Sequence, residues 1–288
     1  METLIRFDWA MKQLLRNKAN FDILEGFLSA VFQEEVTVTS LLESEGNQQD
    51  ETDKFNRVDL VVENAKRELI LIEVQVQAEQ DFFQRISYGV STLLTEYLKR
   101  GQPYKDIKKV VSVSVTYFDL GLGDDYLYYG STQFIGRHTG DTLRLTAQQY
   151  QMFGTREVRK LFPEHYLIRV KKFPDTVHEA VDEWIYMLKH SEVKPDFRSK
   201  HIQTASEKLR LMRLNDTQRK AYDRYMENVS YRQSLLWSSY EEGRQEGIEQ
   251  GKLETARTML HAHVPIDTII AYTGVSREEV ETLQRDVL

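Results

Sequence analysis

Two short apolar segments that carry acidic and amide side chains constrain the fold most strongly. Both segments, residues 57–62 and 69–77, are rich in Val, Ile and Leu, and a turn-like sequence separates them. Segments of this length and composition favour β-strands, so we expect a β-hairpin. If residues 65–67 form a three-residue loop, Asp59 and Glu73 are direct cross-strand neighbours with Cβ atoms about 5 Å apart.

Two neighbouring carboxylates need a compensating positive charge. Like charges at this distance repel, and the pairing is destabilising unless a cation, a proton or a basic side chain neutralises it. On the second strand, Glu73 and Gln75 share the face that changes from apolar to polar halfway along. A hard divalent cation such as Mg²⁺ prefers carboxylate oxygens and water, which suits Asp59 and Glu73.

These residues carry a resemblance to a known group of proteins. An Asp on one strand followed by Glu-x-Gln on the next is typical of the PD-(D/E)xK nuclease superfamily. The chain resembles the PD-(D/E)xK nuclease family transposases, also called recombination-promoting nucleases. Further sequence segments that match this family lie at residues 82–88, 101–118, 242–252 and 272–280. The resemblance implies an α/β, restriction-endonuclease-like mixed sheet flanked by helices, with a helical C-terminal extension, and metal-dependent cleavage of DNA in recombination or transposition.

The resemblance also implies roles for individual residues. Asp59, Glu73 and Gln75 are the candidate catalytic residues, and Gln75 stands where many relatives carry Lys. Asp59, Glu73 and the main-chain carbonyl of Val74 are the candidate ligands of Mg²⁺, with Mn²⁺ as an alternative. An amide orients water only by hydrogen bonds, whereas Lys also helps to neutralise charge. We therefore expect the metal to contribute more of the water activation.

A helix predicted at residues 82–98 carries two candidate substrate-binding residues. Arg85 and Tyr88 stand three apart near its N-terminus, an end that attracts phosphate. Arg85 could hold the substrate backbone or orient a carboxylate. A structural salt bridge to Glu73 or Glu96 explains Arg85 equally well.

Apolar spacing predicts the other elements. Helices are expected at residues 7–16 and 21–32, and Glu25 or Glu34 is a candidate further metal ligand from this region. Asp81 with Gln84 is a capping-box arrangement for the helix at 82–98. Its predicted core side chains are Phe83, Ile86, Val90, Leu93, Leu94 and Tyr97. Later strands are predicted at residues 109–118, 126–134, 142–146 and 166–173, and mostly helices from residue 176 onward.

Composition limits the remaining classes. The absence of Cys excludes disulfides, thiolate catalysis and Cys-ligated zinc. No apolar run approaches the ~20 residues of a membrane span, so we expect a cytoplasmic protein. The net charge of −7 argues against bulk attraction to nucleic acid. Residues 34–53 are acidic, whereas residues 194–220 hold eight basic residues against three acidic ones and could face phosphate or be a solvated helix face.

The sequence predicts three parts: a nuclease-like core at 1–175, a helical region at 176–239 and a tail at 240–288. In the tail, Gly243, Gly247 and Gly251 stand four apart on a helix. This stripe is either tolerated low complexity or a surface for self-association. Two short helices follow at 265–273 and 276–288, the second opening with a Ser276 and Glu279 capping box. Because the second carries a net charge of −2, we favour a helical packing or interaction module over a DNA reader.

Two functional classes remain. The first is an Mg²⁺-dependent DNA endonuclease that hydrolyses phosphodiester bonds. The second is a non-catalytic protein that keeps the fold in order to bind nucleic acid or protein. Nicking of supercoiled plasmid distinguishes the two.

Overall fold

The computed structural model describes residues 4–13, 15–42, 59–98, 102–211 and 214–287, and it places Asp59 by its backbone. Residues 57 and 58 of the predicted first strand and the acidic residues 43–53 lie outside these ranges. The chain divides into two compact units, Met1–Arg219 and Lys220–Leu288. The predicted division at residues 175 and 239 stays a prediction.

A mixed β-sheet forms the centre of the first unit. Within the described ranges its strands are β1 (Val38–Leu42), β2 (Asp59–Asn64), β3 (Leu69–Gln75), β4 (Val110–Thr116), β5 (Leu127–Ser131) and β6 (Glu164–Arg169). The spatial order is β1-β2-β3-β4-β6-β5. The strands β3, β4 and β6 are parallel, and the pairs on either side of them are antiparallel. The predicted restriction-endonuclease-like mixed sheet flanked by helices is confirmed.

The central strands are buried on both faces, which explains their composition. Every residue of β3 and β4 is buried, and both strands are runs of Val, Ile and Leu with few polar side chains. Such near-continuous apolar runs are typical of parallel strands that helices cover on both sides. The polar residues of these two strands therefore need a specific explanation.

The helices of the first unit are α1 (Phe7–Gln13), α2 (Phe21–Phe32), α3 (Phe82–Glu96), α4 (Ala147–Phe153), α5 (Ala180–His190) and α6 (Ile202–Lys208). α5 packs on α2, where the rings of Phe27 and Trp184 meet edge to face with centroids 6.0 Å apart. Gly26 permits this approach, because a Cβ there would lie 2.7 Å from the Trp184 ring. The helices predicted around residues 7–16 and 21–32 are confirmed.

α3 covers one face of the sheet with a single apolar stripe. Its buried residues are Phe82, Ile86, Val90 and Leu93. The prediction of Phe83 in the core was wrong, because Phe83 lies beside this stripe and is 54% exposed. The predicted capping box was also wrong, since the Asp81 side chain makes no capping hydrogen bond.

The later strands were predicted with uneven success. The strands expected at 109–118, 126–134 and 166–173 are β4, β5 and β6, with shorter or shifted bounds. Residues 142–146 form no regular strand and make only isolated bridges, Ile135 to Thr142 and Arg144 to Glu157. The sequence analysis also missed β1, a short edge strand.

The second unit is helical, as predicted for this part of the chain. α7 (Asp216–His261) is followed by α8 (Ile266–Thr273) and α9 (Arg277–Val287). The Ser276 and Glu279 capping box is confirmed by their reciprocal hydrogen bonds. The end of α7 packs with both short helices through a core of Ala256, Leu260, Ile269, Val275, Val280 and Leu283.

The glycine stripe of α7 has open space around it. Apart from the adjoining residues and backbone of α7 itself, no heavy atom of the described residues lies within 4 Å of a Cβ placed at Gly243, Gly247 or Gly251. Self-association through this stripe stays a prediction. Across the described residues, no helix has the length and apolar character needed to cross a membrane.

Candidate active site

The loop of the β2–β3 hairpin sets the register of both strands. Asn64 N–H donates to the Glu68 carbonyl oxygen at 3.1 Å, and Arg67 N–H donates to the Asn64 carbonyl oxygen at 2.8 Å. Residues 65–67 therefore form the predicted three-residue loop. Arg67 adopts a left-handed conformation with φ 63°, as is typical of the last position in such loops.

Asp59 and Glu73 are cross-strand partners at the open end of this hairpin, as predicted. The ladder hydrogen bonds join the even-numbered pairs, starting with Asn64 and Glu68. Asp59 and Glu73 are therefore a non-hydrogen-bonded pair, in which Cα atoms are about 4.5 Å apart, closer than in the alternate pairs. The register thus brings two acidic positions together on one face of the sheet.

Glu73 is a buried acid with an arginine partner. Its side chain is 4% exposed, and Arg85 of α3 contacts Glu73 Oε1 through Nη2. A buried carboxylate is costly without a compensating charge, which this guanidinium provides. Arg85 is positioned for the contact because Phe82 and Ile86, on either side of it, are buried in the apolar stripe of α3. The structural salt bridge considered for Arg85 is therefore present.

Glu79 extends this contact into a network. Arg85 Nη1 donates to both carboxylate oxygens of Glu79, at 2.7 and 2.9 Å. Gln75 Nε2 donates to Glu79 Oε1 at 2.7 Å. The sequence analysis missed Glu79, although the odd-numbered polar positions of β3 continue to it past the end of the strand. The network links Glu73, Arg85, Glu79 and Gln75 in that order.

Glu79 also determines how the Gln75 amide is oriented. A carboxylate only accepts hydrogen bonds, so the end of the amide that contacts Glu79 is the NH₂ group. The carbonyl oxygen of the same amide is consequently directed away from Glu79 and remains an acceptor. Since Gln75 is only 4% exposed, solvent has little access with which to reorient the amide.

Main-chain carbonyl groups alternate in direction along β3. The Gln75 carbonyl accepts a hydrogen bond from Tyr117 N–H at 2.9 Å, beside β4. The Val74 carbonyl therefore points to the opposite side, toward β2, where Asp59 lies. Burial raises the pKa of Tyr117 well above its usual range, and its hydroxyl donates to the Leu188 carbonyl at 2.9 Å. Tyr117 is thus a neutral structural residue at this end of the sheet.

β4 adds hydroxyl groups to the same face. Ser114 is the register partner of Glu73, and Thr116 is that of Gln75. The Ser114 hydroxyl is buried and has no hydrogen-bond partner in the part of the chain that the structure describes. The Glu73 carboxylate, the Val74 carbonyl and the Gln75 amide oxygen supply only oxygen donors here, and oxygen donors suit a hard divalent cation.

Tyr88 lies apart from this network. It is one turn beyond Arg85 on α3 and is 71% exposed, so a large substrate can reach it. Among the residues described, no three His, Asp or Glu side chains group as ligands of a metal ion. A cation at this end would therefore depend on Asp59 and on amide or main-chain oxygens in addition to Glu73.

The two candidate carboxylates from the leading helices lie at the other end of the hairpin. Glu25 Oε1 accepts a hydrogen bond from Val38 N–H at 2.8 Å, where β1 begins. Glu34 accepts one from Lys66 of the hairpin loop at 2.8 Å. Val38 is the register partner of Asn64, five strand residues or about 16 Å from Asp59, and Lys66 lies two residues further along the chain. The structure does not bring either of them to the Asp59 and Glu73 pair.

Comparison with protein families assigns the chain to a family. The sequence model for the PD-(D/E)XK nuclease family transposase matches residues 5–238, which include the whole sheet and α3. The chain belongs to this family. No curated protein and no solved structure matches the chain. The resemblance seen in the sequence is confirmed, and membership indicates a nuclease- or transposition-related function in a group of enzymes that generally use divalent metal ions.

Proposed function

We propose that this family member is a divalent-metal-dependent DNA endonuclease that hydrolyses phosphodiester bonds in recombination or transposition, acting in the cytoplasm. The observation that carries the proposal is the register of Asp59 with Glu73, together with the network that Arg85 and Glu79 form around Glu73 and Gln75. Acidic residues held on rigid strands with too few cations are a preorganised arrangement for binding a positive charge.

Asp59, Glu73 and the Val74 carbonyl would hold the cation, which we assign as Mg²⁺ or Mn²⁺. Such an ion polarises the scissile phosphate and lowers the pKa of bound water. In the absence of the ion, Arg85 balances the charge of Glu73. Arg85 lies on the surface-facing side of the network, with 18% of its side chain exposed, and can contact a substrate phosphate as well. Tyr88 would contact the same DNA strand, one turn of α3 beyond Arg85.

Gln75 would orient the attacking water. Its free carbonyl oxygen accepts a hydrogen bond from that water, while its NH₂ group stays on Glu79 at 2.7 Å. An amide cannot accept the proton that hydrolysis releases. Gln75 is thus a positioning residue, and the proton leaves through solvent. Glu79 acts through Gln75 and Arg85 rather than on the phosphate itself.

Plasmid nicking tests this proposal. The wild-type protein should nick supercoiled DNA with Mg²⁺ or Mn²⁺ and stop in EDTA. Asp59→Ala and Glu73→Ala should each abolish nicking while the variants remain folded by circular dichroism. If both variants nick at the wild-type rate, this assignment of the site is wrong. If the wild-type protein does not nick under any metal condition, the fold is retained for binding alone.

A further inference from the structure

The segment between β5 and β6, residues 132–163, is basic although the chain as a whole is acidic. We call it the β5–β6 insertion. Its basic residues are Arg137, Arg144, Arg156, Arg159 and Lys160, and its acidic residues are Asp141 and Glu157. The insertion therefore has a net charge of +3, whereas the chain has a net charge of −7. A protein with this overall charge can attract a polyanion only through such a local region.

The insertion is an ordered scaffold rather than an open loop. Leu143 N–H donates to the Phe134 carbonyl, and Leu145 N–H donates to the Arg156 carbonyl, both at 2.9 Å. These two hydrogen bonds therefore connect residues 143–145 to the segments at Phe134 and Arg156. α4, capped by a full capping box at Thr146, lies between residues 145 and 156. The backbone positions that carry Arg144 and Arg156 are consequently ordered.

Three guanidinium groups of the insertion lack a carboxylate partner. Arg159 pairs with Glu157 at 2.6 Å, which uses the one glutamate of the insertion. Arg137, Arg144 and Arg156 are exposed, and none of them forms an ion pair with any residue that the structure describes. Arg156 lies over the ring of Tyr150 at 5.6 Å. An unpaired, exposed arginine on a fixed scaffold is available for a ligand.

Arg144 and Arg156, two of the three arginines without an ion pair, border a cavity of about 440 Å³. Arg144, Arg156 and Arg159 line it, with Phe134 on the apolar side. The planar guanidinium group matches phosphate with two parallel hydrogen bonds, which a lysine cannot reproduce. The combination of arginines with an aromatic side chain suits the backbone and bases of a nucleic acid.

Two lysines of the other basic region are already paired with acidic residues. Within residues 194–220, Lys200 pairs with Glu35 at 2.9 Å and Lys208 pairs with Asp22 at 2.8 Å. These lysines stabilise the packing of their own unit.

The insertion lies at the opposite end of the sheet from the candidate active site. It leaves β5 after Ser131 and enters β6 at Glu164, which are register partners. Five residues later, Arg169 is level with Thr116 and hence with Gln75. Five strand residues span about 17 Å, which is about five base pairs of a duplex.

We propose that the β5–β6 insertion binds the phosphate backbone of DNA through Arg144 and Arg156, at a surface separate from the site of cleavage. The surface holds substrate without taking part in the reaction. Its binding needs no metal ion and depends strongly on salt. This role goes beyond the proposed cleavage activity and can be measured without it.

Fluorescence anisotropy with a labelled duplex of about 20 base pairs, in EDTA, tests the proposal. The test variant is Arg144→Glu with Arg156→Glu. The matched control is Arg16→Glu with Lys18→Glu, which makes the same change in charge at two exposed positions of the same unit. We expect the test variant to bind about tenfold more weakly or worse at about 0.1 M salt, and its salt slope to fall by about two.

The outcomes separate this proposal from the proposed cleavage activity. If the test variant loses binding and the control does not, the insertion binds DNA whether or not the protein nicks plasmid. If both variants bind as the wild type does, or both weaken equally, the insertion has no specific role in DNA binding. An absence of wild-type binding also overturns the proposal and directs attention to acidic protein partners.

Discussion

The two ends of the β2–β3 hairpin both carry acidic residues, but their charges are balanced differently. At the loop end three acids each have a lysine: Glu34 with Lys66 at 2.8 Å, Glu63 with Lys108 at 2.9 Å and Glu68 with Lys109 at 3.6 Å. At the open end, the described residues include three acidic positions, Asp59, Glu73 and Glu79, and one arginine, Arg85. The same hairpin therefore has one balanced end and one end with excess negative charge.

In our proposal, this difference distinguishes structural from functional acids. Matched pairs near the surface contribute little to stability and need no further ligand. Excess negative charge on buried strands is unfavourable in the free protein, and a divalent cation relieves it. Proteins retain such local instability where it serves binding or catalysis. The contrast leads to five predictions, given from the largest expected effect to the smallest.

The first prediction compares one acid from each end. Glu73→Gln should reduce plasmid nicking by at least about 100-fold, because it removes a proposed metal ligand. Glu63→Gln, which removes the partner of Lys108 at 2.9 Å, should leave the nicking rate within about twofold. Initial rates with Mg²⁺ measure both variants. Equal losses in the two variants would remove the distinction between the ends.

The second prediction concerns Arg85, the one cation that the described residues place at the open end. Arg85→Ala should lower the free energy of unfolding by about 3 kcal/mol, because Glu73 is left buried without its partner. Arg85→Lys should recover part of this stability, since it restores the charge but not the paired contacts with Glu79. Urea denaturation measures the three proteins. An unchanged midpoint for Arg85→Ala would show that Glu73 does not need the arginine.

The third prediction tests whether Glu79 acts through Gln75. Glu79→Ala frees the NH₂ group of Gln75, which now donates to Glu79 at 2.7 Å, and kcat should fall about tenfold as the amide loses its orientation. On a Gln75→Ala background, the same change should cost less, because only the part that Glu79 exerts through Arg85 remains. Single-turnover nicking rates of the wild type, the two single variants and the double variant complete the double-mutant cycle. Additive losses would mean that Glu79 does not position Gln75.

The fourth prediction is a substitution that stabilises the protein, whereas most substitutions destabilise it. Asp59→Asn should stabilise the metal-free protein by about 0.5–1 kcal/mol, because it removes a like charge from the cross-strand partner of Glu73. Nicking should be lost at the same time. Thermal melting in EDTA measures the stability. Destabilisation by this change would show that the two acids do not repel each other.

The fifth prediction concerns the pH dependence of stability that Glu164 causes. Burial raises the pKa of the Glu164 carboxyl, but the hydrogen bond and charge of Lys109, with the charge of Lys160, outweigh burial and lower the pKa below its usual value. A lowered pKa in the folded state adds stability above the unfolded-state pKa, and this stability is lost as pH falls through the folded value. Glu164→Gln should therefore flatten the loss of stability below pH ~4.5. A denaturation series from neutral to acid pH measures it, and an unchanged slope contradicts it.

The sequence predicted the hairpin well because two independent constraints agreed there. The alternation of residues 69–77 placed Glu73 and Gln75 on one face, and a three-residue loop left one register that pairs Asp59 with Glu73. Lengthening or shortening that loop by one residue would shift the register by one and move every side chain of one strand to the opposite face of the sheet. Local patterns of this kind are preserved in the folded structure.

The sequence was less informative where tertiary packing decides. The choice of Phe82 over Phe83 depends on how α3 is rotated over the sheet, and both residues are equally apolar. Glu79 lies beyond the strand, so no periodicity predicted that its carboxylate would turn back to Gln75 and Arg85. β1 was missed because an edge strand gains its order from its neighbour β2.

The central claim is that the open end of the hairpin binds a divalent cation and the loop end does not. Calorimetric titration of the full chain with Mn²⁺ tests it directly, with wild type, Asp59→Asn, Glu73→Gln and the control Glu63→Gln. We predict that wild type and Glu63→Gln bind Mn²⁺ equally, and that Asp59→Asn and Glu73→Gln each lose that binding. Mn²⁺ binding that is absent from wild type, or that survives both open-end substitutions, would contradict the account.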